Sequence, residues 1–136
     1  MSNLEIVASM YAAFNRGDIQ AIIDQTAENV EWETWKDNYA QKAGVPYLRA
    51  QKGKQGVADF FQEVAKMGIT RLEILSMMEG GNQVAVELEL DAAKFTDEEI
   101  HLWTLNDQGE VTRFRHYIDT AKQIEANGQA SGSATA

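Results

Sequence analysis

Residues 84–91 constrain the fold of this chain more than any other segment. Val84, Val86, Leu88 and Leu90 alternate with Ala85, Glu87, Glu89 and Asp91. That period of two belongs to a strand with one face buried and the other in water. Such a strand needs partners, and they follow at short intervals. Leu72, Ile74, Ser76 and Met78 alternate with Arg71, Glu73, Leu75 and Met77 ahead of a Gly80-Gly81-Asn82 turn. Residues 99–105 and 110–118 form a second pair around Asn106-Asp107-Gln108-Gly109. The second half therefore reads as an antiparallel meander.

The first half has a different period. Ser2 with Glu5 three residues on is a capping box, and Leu4, Val7, Met10, Tyr11 and Phe14 follow on one helical stripe up to Gly17. Asp18 caps a short second helix carrying Ile19, Ile22 and Ile23. Val30, Trp32 and Thr34 alternate with Glu31, Glu33 and Trp35, which predicts a strand over 30–35. Residues 36–53 show no period and read as a long loop of the lid or binding type. A third helix opens at Gly56 with Val57, Phe60, Phe61 and Val64 on one face, and residues 120–126 add a short helix. Helices segregated from a meander make an α+β domain over residues 1–126. Residues 127–136, small and uncharged, read as a flexible tail.

Composition removes several functions. With 21 acidic and 12 basic residues the formal charge is −9, which argues against a nucleic-acid partner. No apolar run reaches the roughly 18 residues of a membrane span, so no membrane partner is expected. The start lacks a signal-peptide pattern, and the expected location is cytoplasmic. No cysteine is present, so disulfides and thiolate chemistry are out. Residues 36–54 hold five basic side chains against Asp37 alone, a local +4 within a body of −13. Such a loop can draw anionic ligands, or simply stay solvated.

The last hairpin carries the chemistry. A turn centred near Asp107-Gln108 sets His101 opposite Phe114. His101, Trp103 and Leu105 then share a face with Phe114, His116 and Ile118, unless a bulge at Gly109 shifts this by one residue. The only two histidines of the chain thus fall on one aromatic face, where an imidazole can move a proton near neutral pH. A histidine or tyrosine in such a place is also an ordinary hydrogen-bonded core residue, and Trp32 and Trp103 suit core or pocket wall equally.

Several segments resemble the nuclear transport factor 2-like superfamily. They are Tyr11-Ala-Ala-Phe-Asn-Arg-Gly-Asp18, Ala27-Glu-Asn-Val-Glu-Trp32 and Gly53-Lys-Gln-Gly-Val-Ala-Asp-Phe-Phe61. The hairpin from His101 to His116 is similar to the SnoaL-like and ketosteroid-isomerase-like branches. The resemblance implies a cone-shaped barrel of a curved, mostly antiparallel sheet with three helices on one face, an apolar pocket, and a homodimer. It matches Tyr11 to an oxyanion-hole tyrosine. It sets Thr34 where the steroid isomerases carry their base, a role threonine cannot fill. It sets His101 and His116 at the pocket positions of the SnoaL-like cyclases.

The expected catalytic residues are His101, His116 and Tyr11, and the expected pocket wall is Trp32, Thr34, Phe61, Val86, Leu88, Trp103 and Phe114. The expected function is binding of a small apolar carbonyl-type molecule, with cofactor-free isomerase, cyclase or dehydratase chemistry. The alternatives are a binding module without turnover and a dimeric interaction protein. No cofactor is expected. No metal is expected either, since the two histidines lack an assured third ligand among Glu31, Glu33 and Asp119.

Overall fold

The computed structural model describes residues 1–128. Helix α1 (Asn3–Asn15) starts at the foreseen capping box: Glu5 N donates to Ser2 Oγ at 3.1 Å and Ser2 N to Glu5 Oε1 at 2.9 Å. Helix α2 (Ile19–Asp24) is capped by Asp18. Strand β1 (Thr26–Trp32) leads through α3 (Tyr39–Lys42), a 3-10 turn (Pro46–Leu48) and β2 (Gln51–Lys52) into α4 (Gly53–Val64). Strands β3 (Arg71–Gly80), β4 (Gln83–Asp91), β5 (Thr96–Leu105) and β6 (Val111–Tyr117) form the meander, and α5 (Thr120–Ala126) follows.

The six strands make one curved, unclosed sheet in the order β2-β1-β6-β5-β4-β3. Every pairing is antiparallel except β1 with β6. Helix α1 packs on β3 and β4, α4 on β1 and β2, and α2 bridges α1 and α4. Val84, Val86 and Leu88 are fully buried beneath them, as the alternation required. No helix is long and apolar enough to cross a membrane.

Five local expectations change. Strand β1 ends at Trp32 because Glu33 adopts φ 58°. This left-handed residue breaks the alternation, so Glu33 is buried behind Trp32 while Thr34 is only half-buried. The stretch 36–53 is ordered into α3, the 3-10 turn and β2. Helix α4 starts three residues early, and its Gly56 is needed, since a Cβ there would stand 2.9 Å from Gln51 Cβ. A bulge between Ile74 and Ser76 turns Met77 onto the core and leaves Met78 exposed. Asn127 and Gly128 close α5 through backbone bonds rather than opening a tail. The rest of that expected tail, 129–136, lies outside the described residues.

Candidate functional site

Beneath the helices lies an apolar cavity of about 70 Å³, open to solvent at its mouth. Its aromatic wall is continuous. Trp32 stacks on Phe114 at 4.3 Å between centroids, Phe114 meets Trp103 at 4.4 Å, and Phe60 and Phe61 close the α4 side. Of the expected residues, Tyr11, Trp32, Phe61, His101, Trp103, Phe114 and His116 all stand on this wall. Val86 and Leu88 do not line it; they are buried in the sheet core beside it. Thr34 does not line it either, because the left-handed Glu33 sends the chain away after Trp32.

The hairpin register differs from the expected one by two residues. His101 stands opposite His116, and Trp103 opposite Phe114. The turn takes five residues, Asn106 to Glu110, and the pairing then shifts between Thr104 and Leu105, leaving Thr112 as the extra residue on β6. Each change moves the partner by one position. Together they preserve the parity, so both histidines stay on the inner face.

A directional line of hydrogen bonds crosses the cavity wall. The indole N–H of Trp103 donates to Tyr11 Oη at 3.0 Å. That leaves the Tyr11 hydroxyl to donate to His101 Nδ1 at 2.6 Å. His101 Nε2 lies 2.9 Å from Glu99 Oε1, and a carboxylate only accepts, so Nε2 carries the hydrogen. His101 is therefore a neutral imidazole. Burial disfavours its cation and holds its pKa below the ordinary value, with the Glu99 bond opposing in part. Burial likewise drives the Tyr11 hydroxyl well above the usual tyrosine range. Glu99 is pushed up by burial but held lower overall by the His101 bond and the nearby imidazoles.

His116 has the opposite character. Its Nδ1 is 3.2 Å from Glu33 Oε1, an ion-pair distance, and its backbone N–H donates to the same oxygen. Burial alone would lower its pKa, but the Glu33 charge outweighs burial and raises it. The two imidazoles stand edge to face with centroids 4.6 Å apart.

Sequence reasoning missed Glu99 and Tyr47, and named Glu33 only among three carboxylates that could join the histidines on a metal. Glu99 was accessible to it: Asp97, Glu99, His101 and Trp103 are spaced by two along β5 and share one face. The burial of Glu33 was hidden by its backbone conformation. Tyr47 and Leu48 reach the wall from the 3-10 turn. The Tyr47 hydroxyl donates to Gln123 Oε1, and Gln123 Nε2 donates to buried Asp97 at 2.8 Å. Glu99, His101 and His116 each present one ligand-type atom, all within 4.8 Å of one another; the sequence reading named other carboxylates. Of the basic loop, Lys42 pairs with Asp37. Lys54 donates to the carbonyls of Ile23 and Thr26 at 3.1 and 2.6 Å, so its charge serves the α2 end.

A curved open sheet wrapped on helices around an apolar cavity defines the nuclear transport factor 2-like class. The SnoaL-like domain model matches residues 7–117, and the chain belongs to that family. Among solved structures, a protein of unknown function from Burkholderia pseudomallei K96243, described as NTF2-like, is similar with a TM-score of 0.72 and 23% identity, covering 93% of this chain and 98% of that one. TerC, co-crystallised with polyporic acid, is similar at 28% identity and a TM-score of 0.71, covering 90% and 98%. A steroid delta-isomerase from Pseudomonas aeruginosa shares the fold at 12% identity and a TM-score of 0.70, covering 99% and 96%. No curated protein matches the chain.

Proposed function

We propose that the protein takes a small, largely apolar carbonyl compound into the cavity and moves a proton on it, as an isomerase, cyclase or dehydratase does. The observation that carries this reading is the cross-strand pair of histidines with opposite proton affinities on one apolar wall. Environments that drive neighbouring groups apart divide acid from base. His116, whose proton affinity Glu33 raises, acts as the acid on the carbonyl oxygen. The Glu99 carboxylate acts as the base at the adjacent carbon. Tyr11 and His101 are positioning residues: their hydrogens are committed along the line to Glu99. Trp32 supports the reading from the other side, since its buried indole N–H has no partner among the described residues and a ligand oxygen can satisfy it. The similarity to TerC, which was co-crystallised with polyporic acid, supports a small-molecule ligand.

The test is proton exchange. Cyclic ketones are incubated with the protein in D2O, and loss of the α-proton signal is followed by NMR. Exchange by the wild type that falls about 10²–10⁴-fold in His116→Ala supports the reading. Quenching of tryptophan fluorescence without exchange supports the alternative of a binding module, which the already satisfied Tyr11–His101–Glu99 line favours. Neither signal with any ketone sinks both.

A second copy of the chain is the proposed protein partner. Ile100 and Tyr117, 39% and 43% exposed, stand opposite one another on the outer sheet face. Sedimentation of the wild type as a dimer and of Tyr117→Glu as a monomer is the expected result.

A further inference from the structure

The geometry points to a second use of the same wall: we propose that Glu99, His101 and His116 bind a divalent transition-metal ion of the zinc class. The inference goes beyond the proton-transfer reading and does not rest on it.

The donor set comes first. Two imidazole nitrogens and one carboxylate oxygen lie within 4.8 Å of one another. An ion with bonds of about 2.0–2.2 Å separates its ligand atoms by roughly 3.4 Å. That lies between the 2.9 Å of His101 Nε2 to Glu99 Oε1 and the 4.8 Å limit, so small side-chain shifts suffice. Imidazole with carboxylate suits zinc, cobalt or iron(II), whereas magnesium and calcium need more oxygens.

The surroundings repeat what metal-bound histidines require. Such a histidine has its second ring nitrogen held by another group, which fixes the ring. Tyr11 is hydrogen-bonded to Nδ1 of His101, and Glu33 stands 3.2 Å from Nδ1 of His116, within ion-pair reach but without hydrogen-bond geometry. Nε2 of each ring then faces the ion; at His101 the ion takes the place of the Nε2 hydrogen, which moves to Nδ1, and Tyr11 Oη turns to accept it there, so the ring stays neutral. All three ligands line the cavity, so a fourth position faces the space where an organic ligand sits.

Charge supplies the driving force. Glu33 and Glu99 are 2% and 6% exposed, and among the described residues neither has a Lys or Arg partner; their ionic contacts are to the histidines. His101 accepts a hydrogen at Nδ1, so at most one imidazolium balances two carboxylates. A buried group carrying net charge −1 is costly. A divalent ion that displaces the His116 proton brings the group to neutrality.

The chain suits a clean test, because it has two histidines and no cysteine. Untagged protein stripped with EDTA is titrated with Co2+ and followed by visible absorption, with Zn2+ as competitor and no organic ligand present. The expected result is one ion per chain, displaced by Zn2+, with affinity weakened at least tenfold in Glu99→Gln and in His116→Gln. Glu33→Gln, which removes no ligand, is expected to weaken binding about 10–100-fold. Circular dichroism confirms that each variant is folded. No uptake by the wild type overturns the site, as does undiminished 1:1 binding in either ligand variant. Proton exchange in EDTA-treated protein tests the other reading separately, so the two fail independently.

Discussion

His101 faces His116 across the β5–β6 pair, centroids 4.6 Å apart, yet the proton affinity of one ring is lowered and that of the other raised. The reason is the partner on the far side of each. His101 meets a hydroxyl donor and Glu99, and burial wins; His116 meets Glu33, and charge wins. This asymmetry makes stability depend on pH in two directions. The folded pKa of His101 lies below its ordinary 6.5, so its contribution is complete above 6.5 and is lost as pH falls through the folded value. The folded pKa of His116 lies above 6.5, so its contribution is complete below 6.5 and is lost as pH rises through the folded value. Metal-free protein should therefore show a urea midpoint that peaks near pH 6.5. His101→Gln should flatten the acid side, and His116→Gln the alkaline side. A midpoint rising steadily from pH 6.5 to 9 would contradict the assignment of His116.

Glu33 is the main reason the pKa of His116 is raised. In Glu33→Gln the imidazole keeps its burial and loses its principal counter-charge, so its pKa should drop from above 6.5 to below it. NMR titration of the imidazole Cε1–H signals reads this directly. Proton exchange at pH 7 should fall about 10²-fold with it, because the acid form is depleted. An unchanged His116 titration would show that Glu33 only shapes the backbone at its φ of 58°.

The wall near the mouth depends on one amide. Gln123, fully buried, joins Tyr47 on the 3-10 turn to Asp97 on β5. Gln123→Ala leaves both without that partner, and a buried group left unsatisfied costs about 1–3 kcal/mol. Urea unfolding should record a loss in that range, and amide exchange over 45–48 should quicken as Tyr47 comes loose. A loss under about 0.5 kcal/mol, the level of an inert surface change, would mean that water replaces the amide freely.

Much of this architecture was legible in residue order, and the exceptions have identifiable causes. Helix and strand periods located α1, α2, α4 and the four-strand meander, because each buries a single face and the pattern records it. The hairpin face was readable despite a wrong partner: the longer turn and the bulge at Thr112 each shift by one, and two shifts restore the side. The burial of Glu33 could not be read, since only its backbone angle turns it inward and nothing in Glu33-Thr34-Trp35 announces a positive φ. The packing of 39–48 was equally hidden. It rests on Tyr47–Gln123 and Asn127–Tyr47 contacts spanning 76 and 80 residues, and local patterns do not carry contacts of that range.

Tyr11 tests whether the site is organised as a line or as separate donors. Its hydroxyl accepts from Trp103 and donates to His101, so Tyr11→Phe removes an acceptor and a donor together. Two buried partners are left open, and the protein should lose about 1–3 kcal/mol at pH 7. The more telling consequence concerns His101. In the wild type Nδ1 is bare and Nε2 protonated, which long-range 15N–1H spectra distinguish. Without the Tyr11 hydroxyl only Glu99 still selects the Nε2–H form, so the ring can turn and the single-tautomer signature should blur. Proton exchange should slow while ketone binding, read by tryptophan fluorescence, persists, because Tyr11 acts through His101 and not on the ligand. A wild-type spectrum showing the Nδ1–H tautomer would reverse the direction of the line and leave Tyr11 free to donate to the ligand itself.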